Sequence, residues 1–260
     1  MINKIIALSK LAGISVMKYF NNKNFLLRHM IIRYKNDISP VTIADKISHD
    51  VIIKGLRHID PETVIISEES RFNLSNFPSY KKKKYWLIDP LDGTKEFINN
   101  IPEFTINISL IKDGYPILGV IYVPCFNIVY FALFNESWKI ESNGIKKKIV
   151  VKNKYPQKIL TSRSHTNQTT NNFINKLEKK PYKKLKMGSS LKFCYIAEGK
   201  AQLYVRCHPI YTWDISAGHA ILLGSGGYIY TLSSNLINYK LKNNNSFLID
   251  SGIIASSCRQ

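Results

Sequence analysis

Acidic residues are scarce in this chain, with 18 Asp and Glu against 37 Lys and Arg and a net charge of +19. A balance of that sign admits nucleic acid, an anionic membrane surface or an acidic small molecule as partner. Lys, Asn, Ile and Tyr are abundant along the whole length, however. That drift toward residues with A/T-rich codons leaves much of the charge without a function. The densest basic run, Lys81 to Lys84, leads straight into apolar Tyr85 to Ile88 and reads as a solvated strand entrance. Cysteine is sparse too. Cys125, Cys194, Cys207 and Cys258 form no CxxC pair and no Cys/His zinc spacing, which argues for reduced thiols in a cytoplasmic setting. Long uninterrupted apolar runs are missing. Lys4, Lys10 and Lys18 break Met1 to Phe20 at near-helical spacing, which predicts an amphipathic helix rather than a signal peptide. Pro116 to Phe134 carries no charge and approaches membrane-spanning length. Gly119, Pro124 and Asn127 interrupt it, and its β-branched and aromatic residues predict two buried strands joined by a turn over Val123 to Asn127. No transmembrane segment is expected. The basic charge permits peripheral attachment to the cytoplasmic side of an inner membrane, with no anchor to secure it.

What is present suffices for a core. A chain of 260 residues with 45% hydrophobic content builds one large domain or two intimately packed lobes. Helices are predicted over 1–20 and over Thr42 to His58, where Ile43, Ile47, Val51, Ile52 and Leu56 recur at helical spacing. Val64 to Ile66, Tyr85 to Ile88 and Phe104 to Ile111 read as strands. A polar Lys/Asn-rich stretch around 141–158 marks a boundary between an N-terminal α+β lobe (1–150) and a C-terminal α/β lobe (151–260). Beyond it, strands at Ile159 to Thr161 and Ala201 to Val205 alternate with helices at Gln168 to Leu177, Ser190 to Ala197 and Asp214 to Leu223. Gly224 to Gly227 ends the last helix before a strand at Tyr228 to Tyr230. No internal repeat is visible. The alternation indicates layered helices and sheets of the α/β or α+β class.

The most informative stretch is Asp89-Pro90-Leu91-Asp92-Gly93-Thr94. Two acids three residues apart, with proline between and Gly-Thr after, predict a tight loop that ends the strand at Ile88. Carboxylates and a backbone carbonyl on such a turn suit a hard cation such as Mg²⁺. Taken alone the loop is also an ordinary Asp-Gly turn, Glu68 a surface acid beside Glu69, and Asp214 a helix N-cap. Taken together, four acids at strand and helix ends, in a chain with 18 acids, can hold two divalent cations ~4 Å apart for phosphate-ester hydrolysis.

These residues also resemble the three signatures of the lithium-sensitive, Mg²⁺-dependent inositol monophosphatase superfamily. They are Ser67-Glu68-Glu69-Ser70, Asp89 to Thr94, and Trp213-Asp214-Ile215-Ser216-Ala217-Gly218, matching in order and spacing along nearly the whole chain. Pro40 to Asp45, Lys95-Glu96-Phe97, Gly188 to Phe193 and Ala197 to Tyr204 are similar to its bacterial 3′(2′),5′-bisphosphate nucleotidase branch. The resemblance implies a layered αβαβα sandwich with the active site between two lobes. It implies one Mg²⁺ on Glu68, Asp89 and the Leu91 carbonyl, a second on Asp89, Asp92 and Asp214, and room for a weaker third near Glu68. Asp45 and Thr94 match the pair that orients and deprotonates the attacking water, with Asp45 as the proton sink. Gly93 and Thr94 amides would cradle the scissile phosphate, and Glu68, Leu91, Asp92 and Asp214 would face it as well. His165, Ser189, Lys192 and Arg206 match nucleotide-contacting positions.

The implied substrate is adenosine 3′,5′-bisphosphate, hydrolysed to AMP and phosphate, with the 3′-phosphate of adenylyl sulfate as a further candidate. Clearing such a bisphosphate would relieve sulfotransfer steps in sulfate assimilation. A monomer or homodimer is expected, with no stable nucleic-acid partner. The alternatives are an inositol monophosphatase and a basic nucleic-acid binder; no aromatic-basic RNA motif supports the latter. Ile215-Ser216 departs from the family pattern and should alter helix packing rather than ligation. Lys240 to Asn245 reads as a surface loop.

Overall fold

The computed structural model describes residues 1–21, 33–34, 40–70, 83–154, 157–164, 168–177, 182–241 and 246–259. Lys81, Lys82, His165 and residues 242–245 lie outside them. Helix α1 (Ile2–Phe20) buries Ile5, Leu8, Ser9, Ala12 and Val16 along one face. A short antiparallel pair, β1 (Arg33–Tyr34) and β2 (Pro40–Val41), leads into α2 (Ile43–Ile59). Thr42 and Asp45 form a capping box at its start: the Ala44 amide donates to the Thr42 hydroxyl, and the Thr42 amide donates to the Asp45 carboxylate.

A sheet of seven strands follows in chain order. Its first members are β3 (Val64–Ser67) and β4 (Lys84–Asp92), separated from β5 (Thr105–Lys112) by the single turn α3 (Thr94–Ile98). It continues through β6 (Tyr115–Val123), β7 (Ile128–Leu133), β8 (Glu136–Ile140) and β9 (Lys146–Lys148). β3 and β4 are parallel and all later neighbours antiparallel. The uncharged run from Pro116 folds as predicted, into β6 and β7 joined by a 3₁₀ turn at Pro124–Phe126. No helix among the described residues is long and apolar enough to cross a membrane.

The second sheet is mixed. It contains β10 (Gln157–Ser162) and, after α4 (Gln168–Leu177), β11 (Tyr182–Met187). Helix α5 (Leu191–Ala197) then precedes β12 (Leu203–Arg206). A two-residue strand β13 (Ile210–Tyr211) runs into α6 (Thr212–Gly224), which is followed by β14 (Tyr228–Thr231). β15 (Leu248–Ile249) pairs with β13, and β16 (Ile253–Ser256) completes the second sheet in the order β11-β10-β12-β16-β14.

Strand alternation creates the layers. On β4, Trp86 and Ile88 face the core formed with α1 and α2, while Tyr85 and Leu87 face the core formed with α5 and α6. On the second sheet Leu160, Tyr204 and Ala255 join that same central core. Their neighbours Ile159, Leu203, Val205 and Ile254 pack outward with Ile174 of α4. The result is an αβαβα sandwich with α5 and α6 in the middle.

The central layer needs close approach. A Cβ on Gly119 of β6 would lie 2.5 Å from the Ala217 carbonyl oxygen and 2.8 Å from the Ala220 Cβ, both on α6. The unusual Ser216 is buried against Ser109 of β5, Oγ to Oγ at 2.6 Å. The departure after Trp213-Asp214 is thus a packing feature between helix and sheet.

Replacing Gly119 with alanine should overpack this seam and cost about 1–3 kcal/mol. Urea unfolding measures it; an unchanged midpoint would show that α6 does not depend on a bare backbone there.

Candidate active site

Two carboxylates three residues apart on a regular strand point to opposite faces. Strand β4 does not end at Ile88, as the sequence suggests, but continues to Asp92 through a bulge. Asp89 is registered with Asn107 and Asp92 with Thr105, so Pro90 and Leu91 together oppose Ile106 alone. The extra residue restores Asp92 to the face that carries Asp89. Proline suits the position because it has no N–H to lose from the ladder. Ser48 of α2 donates to the Pro90 carbonyl at 2.7 Å and holds the bulge from outside.

The parallel pairing of β3 and β4 brings a third acid. Ser67 is registered with Ile88, and the Glu68 amide donates to the Ile88 carbonyl, so Glu68 leaves its strand beside Asp89. A fourth comes from α6. The N-cap is Tyr211, not Asp214, and it makes no side-chain cap. Asp214 sits within the first turn, where the positive end of the helix favours an anion. Its side chain is therefore free for the cleft rather than committed to capping.

Glu68, Asp89 and Asp214 each offer an oxygen within 4.8 Å of the others. Asp92 lines the same cleft, with Leu91, Gly93, Thr94, Lys95, Glu96, Ser189, Lys192 and Arg206. Burial pushes the Asp89 carboxyl well above its usual range, and the charges of Glu68, Asp92 and Asp214 push it further. Asp214 is raised likewise, by burial and then by Asp92 and Glu68, while Arg206 and Lys192 pull it down. At that spacing and an effective dielectric near 20, each ionised pair repels by on the order of 3 kcal/mol. An all-oxygen set of crowded acids fits a hard divalent cation, which replaces the repulsion with attraction.

Asp45 serves two structures with one carboxylate. Its Oδ2 accepts from the Thr42 amide at 2.7 Å and the Thr42 hydroxyl at 2.6 Å, completing the helix cap. Its Oδ1 accepts from the Thr94 hydroxyl at 3.1 Å, and that hydroxyl also lies 3.2 Å from the Leu91 carbonyl. Burial raises the Asp45 pKa to about 7 against the lowering effect of the Thr42 hydrogen bonds. The helix cap and the bond to Thr94, alternative readings in the sequence, coexist on one carboxylate.

The opposite wall comes from the segment before and within α5. Gly188 packs so closely that a Cβ there would lie 2.7 Å from Glu96 Cγ and 2.8 Å from the Glu103 carbonyl. Ser189, with φ at +48°, follows it into the cleft. Lys192 is buried, its ammonium donating to the Ser189 carbonyl at 2.5 Å and standing over the Tyr204 ring at 5.1 Å. Arg206 is held by His208 and the Pro209 carbonyl rather than by an acid.

His165 lies outside the described residues. Sequence reasoning missed Arg163, which makes a two-pronged bridge to Glu103 at 2.6 and 2.7 Å while Glu103 accepts from the Gly188 amide. It also missed Ser190 and Asn107, which contact Asp92. The adjacent Ser189-Ser190 pair was the available signal; nothing local pointed to Asn107 or Glu103.

Residues 1–260 match the family model described as the inositol monophosphatase family. A relative from Buchnera aphidicola subsp. Acyrthosiphon pisum, the 3′(2′),5′-bisphosphate nucleotidase CysQ, is 45% identical over 257 residues, 99% of this chain and 94% of its own. The CysQ of Escherichia coli strain K12 is 38% identical over 243 residues, 92% of this chain and 94% of its own. Among solved structures, CysQ from Bacteroides thetaiotaomicron, a bacterial member of the inositol monophosphatase family, aligns with a TM-score of 0.81 at 30% identity. That alignment covers 99% of this chain and 98% of the other.

The raised Asp45 pKa has a defined sign in stability. The folded protein holds this proton up to about pH 7, whereas the unfolded chain releases it near 3.8. The stabilisation from protonation is complete below the lower value and lost as pH rises through the upper one. In metal-free protein, the melting temperature of Asp45→Asn should therefore gain on that of wild type between about pH 4 and about pH 7 and level off above about pH 8. A difference that stays constant with pH would refute the shift.

Proposed function

The chain belongs to the inositol monophosphatase family, and from that membership we propose that it is a metal-dependent 3′(2′),5′-bisphosphate nucleotidase. It releases the 3′-phosphate of adenosine 3′,5′-bisphosphate and leaves AMP. The observation that carries this reading is the carboxylate trio and Thr94 in one cleft, with buried Asp45 accepting from the Thr94 hydroxyl behind it, on a chain 45% identical to a named nucleotidase.

In this reading Glu68, Asp89 and the Leu91 carbonyl would hold one Mg²⁺, Asp89, Asp92 and Asp214 would hold a second, and a weaker third would bind near Glu68. When bound, Mg²⁺ supplies the Lewis acidity that stabilises the phosphoryl and leaving oxygens and acidifies the attacking water. The remaining work falls to the chain. Thr94 accepts the water proton at its hydroxyl oxygen and passes its own proton to Asp45 Oδ1, to which it is already bonded. Asp45, with a pKa of about 7, is matched to that role near neutrality. Water oxygen bonds to phosphorus, the bond from phosphorus to the 3′-oxygen breaks, the leaving alkoxide takes a proton from solvent, and Asp45 returns the proton it accepted to solvent.

Gly93 turns the chain with φ at +95°, which places its amide and that of Thr94 at the head of α3. Those amides face the scissile phosphate. Lys192 and Arg206 meet the second phosphate, and Ser189 contacts the nucleotide. The substrate then lies between a lobe over 1–150 and a lobe over 151–260. The 3′-phosphate of adenylyl sulfate presents the same reacting group and is a second substrate.

Phosphate release should be rapid from adenosine 3′,5′-bisphosphate with Mg²⁺ and slower from inositol 1-phosphate. Chelation should abolish it, and added Mg²⁺ should restore it. Asp45→Asn should lose about 10²–10⁴-fold in kcat, and Asp92→Asn should raise the Mg²⁺ requirement steeply. Faster turnover of the inositol ester would replace the substrate while keeping the mechanism. Turnover of neither ester would overturn the reading.

A further inference from the structure

Ser190 and Asn107 belong to neither the carboxylate trio nor the Asp45–Thr94 pair, yet both are only 1% exposed and both touch Asp92. Ser190 Oγ lies 2.6 Å from Asp92 Oδ2 and 2.7 Å from the Asp214 backbone carbonyl. Asn107 Nδ2 donates to Ser190 Oγ at 2.9 Å and reaches Asp92 Oδ2 at 3.4 Å. Asn107 is itself registered opposite Asp89 in the β4–β5 ladder.

A serine hydroxyl has one proton, so Ser190 donates to Asp92 or to the Asp214 carbonyl but not to both at once. The second proton needed at this junction is Asn107's. The Asn107 Oδ1 is buried with no hydrogen-bond partner, a cost that the amide accepts in order to aim its donors at Ser190 and Asp92. Removing the hydroxyl leaves Asp92 Oδ2 with the long Asn107 contact alone among these bonds. It also unlinks β4, which carries Asp92, from the first turn of α6, which carries Asp214.

We propose that Ser190, backed by Asn107, is a positioning residue for the cation site. Its hydroxyl stands between the Asp92 carboxylate and the Asp214 carbonyl and donates to one or the other, with the Asn107 amide donating from behind, so that acids from two separate elements hold one spacing. Oδ2 of Asp92 is committed to these bonds, which leaves Oδ1 to the cleft. The inference rests on the metal-dependent reading above and deepens it, because it names residues that tune cation affinity without ligating.

The test is calorimetric titration of metal-free full-length protein with Mg²⁺ and Mn²⁺, without substrate, for wild type, Ser190→Ala, Asn107→Ala and the double variant. Each single change should weaken cation binding about 10–100-fold, the usual consequence of removing a ligand's outer partner. The double variant should fall well short of the product of the two, since both act through Asp92. In turnover, the Mg²⁺ concentration for half-maximal rate should rise by the same factor, while the nucleotide KM at saturating Mg²⁺ stays fixed. A merely structural role would lower the unfolding midpoint and leave cation affinity unchanged. Affinities within about twofold of wild type overturn the proposal alone. If Ser190→Ala does not fold, Asn107→Ala decides by the same criterion. Failure of the wild type to bind either cation overturns the metal-site reading and this proposal with it.

Discussion

Crowded negative charge is the constraint around which this structure is arranged. A chain with 18 acids among 260 residues places Glu68, Asp89 and Asp214 within 4.8 Å of one another, with Asp92 beside them. Isolated carboxylates in that setting repel and resist burial, and the upward shifts of Asp89 and Asp214 express both effects. The fold holds them there only because other interactions compensate. The two large apolar cores on either face of the seven-stranded sheet do so, and a bound cation would recover the electrostatic cost.

Strand β4 is the hub of that arrangement. It takes Glu68 from a parallel neighbour, carries Asp89 and Asp92 across its own bulge, and lies beside the helix that delivers Asp214. Each contribution needs a close approach. Gly119 lets α6 settle on the sheet, and Gly188 lets the Ser189–Ser190 segment reach the cleft. The Arg163–Glu103 bridge ties the end of β10 to the chain ahead of β5, and Glu103 in turn holds the Gly188 amide. The cleft is thus shaped by packing of backbone as much as by its charged side chains.

The excess of positive charge is partly absorbed by the fold. Lys147 and Lys148 pair with Glu141 and Glu136, and Lys139 pairs with Glu198. Lys146 lies over the Trp138 ring at 4.2 Å. Three consecutive lysines form β9, the outer strand of the seven-stranded sheet, where such residues discourage edge-to-edge association. Lys95, Lys192 and Arg206 are a different group, since they line the cleft itself.

The sequence alone determined the layered αβαβα class, the two strands of the uncharged run, and the identity of the acids. Those features depend on local periodicity, on residue type, and on motifs whose order resembles a known superfamily. The bulge was not legible, because a strand ending at Ile88 and a strand passing through a bulge share the same Asp-Pro-Leu-Asp letters. Only pairing with β5 decides between them. The dual use of Asp45 was equally hidden: its cap is a local contact, but its Thr94 partner is 49 residues away. Asn107 and Glu103 read as ordinary strand and loop residues until the second sheet brings Ser190, Gly188 and Arg163 against them. Tertiary structure decided which oxygens face one another, because carboxylate spacing across three elements is set by strand register and helix packing, and neither is written within any one segment.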